Sequence, residues 1–116
     1  MCFFIKNEIR YNRKSQHYGV LKNKSKKGIT SVFMTTKKFS SGKSNIPMNK
    51  NAEINNNEPS YFIKRVRTYE KGSYGGKEKN YKLSKEDIKL SDKIYKEHLK
   101  NRKIMKKRKK KEQHHS

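Results

Sequence analysis

Apolar positions in the first half of the chain follow no helical period. They fall in short patches among Lys, Asn, Ser and Thr. Met1-Cys2-Phe3-Phe4-Ile5 stops at Lys6, and Ile29-Thr30-Ser31-Val32-Phe33-Met34 suits a strand that pairs on a neighbouring molecule. Residues 1–42 therefore read as an extended, irregular basic arm, or as an organellar targeting segment. Few acids, many hydroxyl residues and Lys38-Phe39-Ser40-Ser41, which looks like a matrix-processing site, suit the second description, whereas few arginines and no amphipathic helix before residue 30 suit the first, and the two weigh about equally.

Residues 43–60 carry Pro47, Asn55, Asn56, Asn57 and Pro59, a turn-forming composition that reads as a linker. From Tyr61 the pattern changes. Through residues 61–83, aromatic and basic side chains alternate, which suits RNA contact: Arg and Lys meet phosphates, and Tyr and Phe faces accept unstacked bases. Gly72, Gly75 and Gly76 lack the Gly-Lys-Ser/Thr ending of a phosphate loop and read as a turn into the next element.

That element is a long helix over residues 84–112. Ser84 and Asp87 have N-cap spacing, no Gly or Pro interrupts the segment, acids stand at its start and cations crowd its end. Its apolar residues form two narrow stripes, Ile88, Tyr95 and Leu99 against Leu90, Ile94 and Met105. Neither is the wide face of a helix seated on its own core, so the helix is expected to lie between partners. The predicted fold class is mainly α: one basic C-terminal helix, an irregular arm and linker, and little or no independent hydrophobic core.

Composition supports that expectation. Hydrophobic residues make up 29% of the chain and charged residues 36%, the range in which a chain does not offset its ordering entropy alone. The net charge of +22 over 116 residues calls for a polyanionic partner. Lys outnumbers Arg by 26 to 6, as A-rich codons would produce, but such codons also supply Glu, and acids are scarce. The charge is uneven: twelve cations face only Glu8 within residues 1–52, and eight cations fall within the ten residues 102–111.

Candidate chemistry is limited. The lone Cys2 excludes an internal disulfide and a thiolate zinc site, and His17, His98, His114 and His115 are not at ligand spacing, so no metal or cofactor is expected. No apolar run reaches the roughly 20 residues of a membrane-spanning helix. With no nucleophile elbow, Cys/His pairing, phosphate loop or paired acids, an enzyme with a small-molecule substrate is not expected. The RNA-binding candidates are Lys64, Arg65, Arg67, Tyr69 and Lys71, followed by Arg102, Lys103, Lys106, Lys107, Arg108, Lys109 and Lys110.

The run Ile63-Lys64-Arg65-Val66-Arg67-Thr68-Tyr69-Glu70-Lys71, followed by a long basic helix, resembles the bacterial S21 family of small-subunit ribosomal proteins, mitochondrial members above all. Lys64, Arg65 and Arg67 match that family's basic cluster, Tyr69, Glu70 and Lys71 its Tyr-Glu-Lys, and residues 102–111 loosely its terminal helix. Gly72 stands where the family has Pro, and an Asn-rich segment replaces its preceding helix. The resemblance covers residues 61–112. It implies a helical, non-catalytic protein lying along ribosomal RNA of the small subunit beside neighbouring ribosomal proteins. The expected function is thus a constituent of the mitochondrial ribosome. The alternatives are a nuclear or nucleolar RNA-binding or assembly protein, with residues 106–111 as import signal, and an organellar protein-interaction or assembly factor.

Overall fold

A computed structural model describes residues 4–40, 42–54 and 58–113; within residues 104–113 it describes the backbone alone. The described residues form nine strands and one long helix: β1 (Ile9–Asn12), β2 (His17–Ser25), β3 (Gly28–Thr35), β4 (Phe39–Ser40), β5 (Lys43–Ser44), β6 (Ile46–Pro47), β7 (Tyr61–Phe62), β8 (Arg67–Tyr69), β9 (Tyr74–Lys77) and α1 (Lys85–Gln113). Seven strands make one antiparallel sheet in the order β6-β7-β3-β2-β1-β9, with β8 also on β3, and β4 and β5 form a separate small ribbon. The mainly α fold with an irregular arm is therefore corrected to a mainly antiparallel β fold.

The reason lies in β2 and β3. Both faces of these central strands are covered, so their inward residues do not alternate with polar ones in the way that identifies a half-buried strand. Tyr18, Val20, Val32 and Met34 face α1 in a cluster with Ile9, Ala52, Phe62, Val66 and Ile94. On the other face Leu21, Ile29, Phe33 and Tyr74 pack together, flanked by Phe4, Ile63 and Tyr69. Ser31, fully buried between them, bonds the Tyr74 hydroxyl at 2.9 Å, and that hydroxyl donates to the Ile29 carbonyl. Burial pushes the Tyr74 phenol up to about 12.

At about 1.5–3 kcal/mol for each large apolar side chain removed from water, twelve buried hydrophobic residues make a substantial core. The expectation of little or no core fails on that observation. The patch 29–34, expected to pair on a neighbour, is a central strand of the chain's own sheet. Lysines do not disrupt the β2–β3 hairpin because Lys24, Lys26 and Lys27 stand exposed at its tip. Gly28 closes that hairpin with φ +137°, and an added Cβ there would lie 2.1 Å from the Tyr69 carbonyl oxygen.

Two irregularities in the ladders matter for the site. Between Leu21 opposite Ser31 and Asn23 opposite Thr30, Lys22 is an extra residue, a bulge. Between Phe62 opposite Met34 and Arg67 opposite Ser31, the four residues 63–66 face only Phe33 and Val32. The second bulge ejects Lys64 and Arg65 to solvent while Val66 enters the core.

α1 begins at Lys85 with Ser84 as its N-cap: the Asp87 N–H donates to Ser84 Oγ (3.1 Å), and that hydroxyl donates to Asp87 Oδ2 (2.9 Å). The fully buried Asp87 carboxylate also accepts from the backbone N–H groups of Asn49 (2.7 Å) and Lys50 (3.1 Å), which clamps the expected linker onto the helix. Ala52 is buried in the core, and the Lys82 N–H donates to its carbonyl, so residues 43–54 are part of the domain. The helix seats on the sheet through Asp87, Ser91, Ile94 and His98, a 3.6-residue repeat. Three of those are polar, with Asp87 and Ser91 satisfied internally, so hydrophobicity alone does not mark the face. The expectation of a helix lying only between partners is corrected accordingly, as is the helical protein implied by the resemblance, since β7, β8 and β9 fall within residues 61–83.

Candidate nucleic-acid interface

The bulge over residues 63–66, strand β8 and the second half of α1 together form a basic groove of about 720 Å³. Lys64, Arg65 and Arg67 line one wall, Lys43 and Ile46 continue it, and Glu97, His98 and Asn101 line the other. Val66 and Ile94, both buried, form the floor. The sheet side of the groove is fixed by the β8–β3 ladder and by a 2.6 Å hydroxyl contact between Thr30 and Thr68. Cations fixed on a strand edge rather than on a free tail suffer less loss of side-chain and backbone freedom when they bind.

Four cations, Lys43, Lys64, Arg65 and Arg67, meet one acid, Glu97, so the groove is electropositive. His98 is partly buried; that burial, and then the charge of Arg102, lower its pKa, leaving the imidazole neutral at pH 7. A neutral imidazole offers one donor and one acceptor. Arg102 and Lys103 follow immediately, exposed, on the part of the helix that leaves the sheet: every described side chain from Leu99 to Lys103 is exposed. On a further face of α1, Lys89, Lys93, Lys96 and Lys100 form a ridge beside Asp92 and Glu97.

Of the twelve residues singled out in the sequence, the structure brings Lys64, Arg65 and Arg67 to this groove, and it leaves Arg102 and Lys103 exposed on α1 just after the groove's last lining residue, Asn101. Lys106, Lys107, Arg108, Lys109 and Lys110 continue the helix, and their side chains lie outside the described residues. Tyr69 is placed elsewhere. Its ring packs edge-on against Phe33, with centroids 5.7 Å apart, in the second core cluster. Lys71 opens the short 3-10 turn Lys71–Ser73 before β9. Lys43, His98 and Asn101 were not singled out by sequence reading, because only the fold brings these three distant segments together.

Among the described residues, no group of three or more His, Cys, Asp or Glu side chains could hold a metal ion, and no helix is long and apolar enough to cross a membrane. No family model matches the chain, and no curated protein and no solved structure matches it. Geometry and charge are thus the grounds for a function.

Proposed function

We propose that the protein binds RNA without catalysis, gripping the phosphate backbone in the groove between the 63–66 bulge and α1. The observation that carries this reading is the convergence of Lys64 and Arg65 on the exposed bulge with Arg67 on the adjoining strand β8, beside the cationic end of a helix. Arg forks bidentately onto phosphate oxygens, and each phosphate neutralised releases counterions. A groove with an apolar floor and one acid fits a ribose-phosphate strand better than it fits a protein surface of mixed charge.

The narrower reading, an RNA-binding constituent of the mitochondrial small ribosomal subunit, rests on the resemblance over residues 61–112 and on the targeting-like composition of residues 1–42. Co-sedimentation of the tagged chain with that subunit tests it, and a tagged chain confined to the nucleolus contradicts it.

The groove itself is tested by replacing Lys64, Arg65 and Arg67 with Gln. Each phosphate-contacting cation lost flattens the plot of log affinity against log salt by about one. The triple variant is therefore expected to flatten it by about two to three and to weaken every RNA sequence alike. An unchanged slope overturns the assignment of the groove.

A further inference from the structure

At the end of the sheet formed by the β1–β2 turn and the end of β3 lies a second cavity, of about 470 Å³, within the roughly 300–1,000 Å³ range of small-ligand sites. Met34 and Ala52 are its apolar floor, and one wall is aromatic: the Tyr18 and Tyr81 rings stack 4.3 Å apart, with Tyr11 edge-on to Tyr18. The rim is hydroxylic and polar, with Ser15, Thr35, Thr36 and Ser60 opposite Glu53, and Lys37 stands exposed at the mouth. His17, half-buried in the same rim, is kept neutral at pH 7 by burial and then by the charge of Lys37.

The walls are held rigidly. Fully buried Asn12 accepts from the Ser15 N–H (2.8 Å) and donates to Ser73 Oγ (2.8 Å), which fixes the turn that carries Gln16 in the left-handed region at φ +59°. A non-glycine residue in that region is strain retained by its surroundings, a feature that clusters at ligand sites. Elsewhere in the lining the Tyr81 hydroxyl donates to Glu53 Oε2 at 3.5 Å, and Ser60 Oγ accepts from the Ala52 N–H. None of these groups is used by the basic groove.

We infer that this cavity receives one unstacked nucleobase of a single-stranded RNA, with Lys37 at the mouth meeting the adjoining phosphate. A flat base matches an aromatic wall and an apolar floor, and its edge donors and acceptors match a ring of hydroxyls, one carboxylate and one neutral imidazole. A duplex keeps its bases stacked and paired, so the cavity makes the chain prefer single strands. The inference deepens the RNA-binding reading and rests on it for its biological meaning, but its test does not.

The test is titration of the intact 116-residue chain with 5′-UMP, 5′-AMP and ribose 5-phosphate, followed by amide chemical shifts. Saturable movement of residues 15–18 and 35–37 with the nucleotides, and none with ribose 5-phosphate, is the expected result. Unmoved signals, or equal movement with ribose 5-phosphate, overturn the cavity assignment even if RNA binds elsewhere. Nucleotide binding by a chain with no salt-dependent affinity for long RNA keeps the cavity and overturns the groove. Thr36→Phe, at the exposed rim, is expected to weaken nucleotide binding at least tenfold and to bring the single-strand to duplex affinity ratio to about one; an unaltered ratio in a variant with native amide dispersion contradicts the inference.

Discussion

Lys22 is a lysine with no exposed side-chain surface, and its ammonium donates to Asn7 Oδ1 at 2.5 Å and to Asp92 Oδ1 at 2.8 Å. The bulge in β2 makes this arrangement, by turning an extra residue toward the helix. Burial lowers the Lys22 pKa against the raising effect of Asp92. Burial also opposes ionisation of Asp92, but the hydrogen bond and charge of Lys22, aided by Lys6 and Lys96, outweigh it and hold the carboxyl below its usual range. Asp92→Asn leaves the ammonium buried without its counter-charge, and the expected loss is about 3 kcal/mol, the low end for breaking a buried pair. Adding Lys22→Met recovers most of that loss in urea unfolding. Because the folded Asp92 value lies below the unfolded one of about 3.9, its contribution is complete above that pH and disappears as pH falls through the folded value. Wild type therefore loses this increment in acid, and the Asp92→Asn variant does not; parallel acid curves for the two proteins would contradict the pairing.

Among elements, α1 divides into a seated half and a projecting half. Ile94, 6% exposed, is in the core, whereas Leu99 is 38% exposed and the next four side chains are exposed too. Replacing the exposed Lys100, Arg102 and Lys103 with Gln is expected to shift the unfolding free energy by no more than about 0.5 kcal/mol, as for surface changes away from packed features, while lowering RNA affinity. Calorimetric melting of the triple variant checks it; a collapse of the transition would show that these side chains support the fold. The start of this helix was legible in the sequence because capping is local: Ser84 and Asp87 are three residues apart. Its buried face was not, because Asp87 and Ser91 are polar: Asp87 is satisfied by Asn49 and Lys50, far away in the chain, and Ser91 by the Ile88 carbonyl of its own helix. The strands were hidden for a related reason. β2 and β3 are buried on both faces, and what interrupts their apolar runs, Gly19, Lys22 and Ser31, is explained only by Phe33 lying over Gly19, Asp92 receiving Lys22 and Tyr74 receiving Ser31. Of the candidate groove, the cluster at residues 64–67 was legible as a charge run, whereas Lys43, His98 and Asn101 required the fold to be seen.

For the whole molecule, the surplus of cations no longer signals a chain that folds only on its partner. The core is internal, and the positive charge is distributed outside it: at the β2–β3 tip, along the lysine ridge of α1, in the groove and on the projecting helix. Those charges repel one another within a Debye length of about 8 Å at physiological salt, so a bound polyanion is expected to raise the melting temperature. The most direct test of RNA binding is the affinity of the intact chain for a single-stranded RNA measured across salt concentrations. With Lys43, Lys64, Arg65, Arg67, Arg102 and Lys103 each meeting a phosphate, log affinity should fall against log salt with a slope of about −4 or steeper. An affinity unaffected by salt would contradict the account.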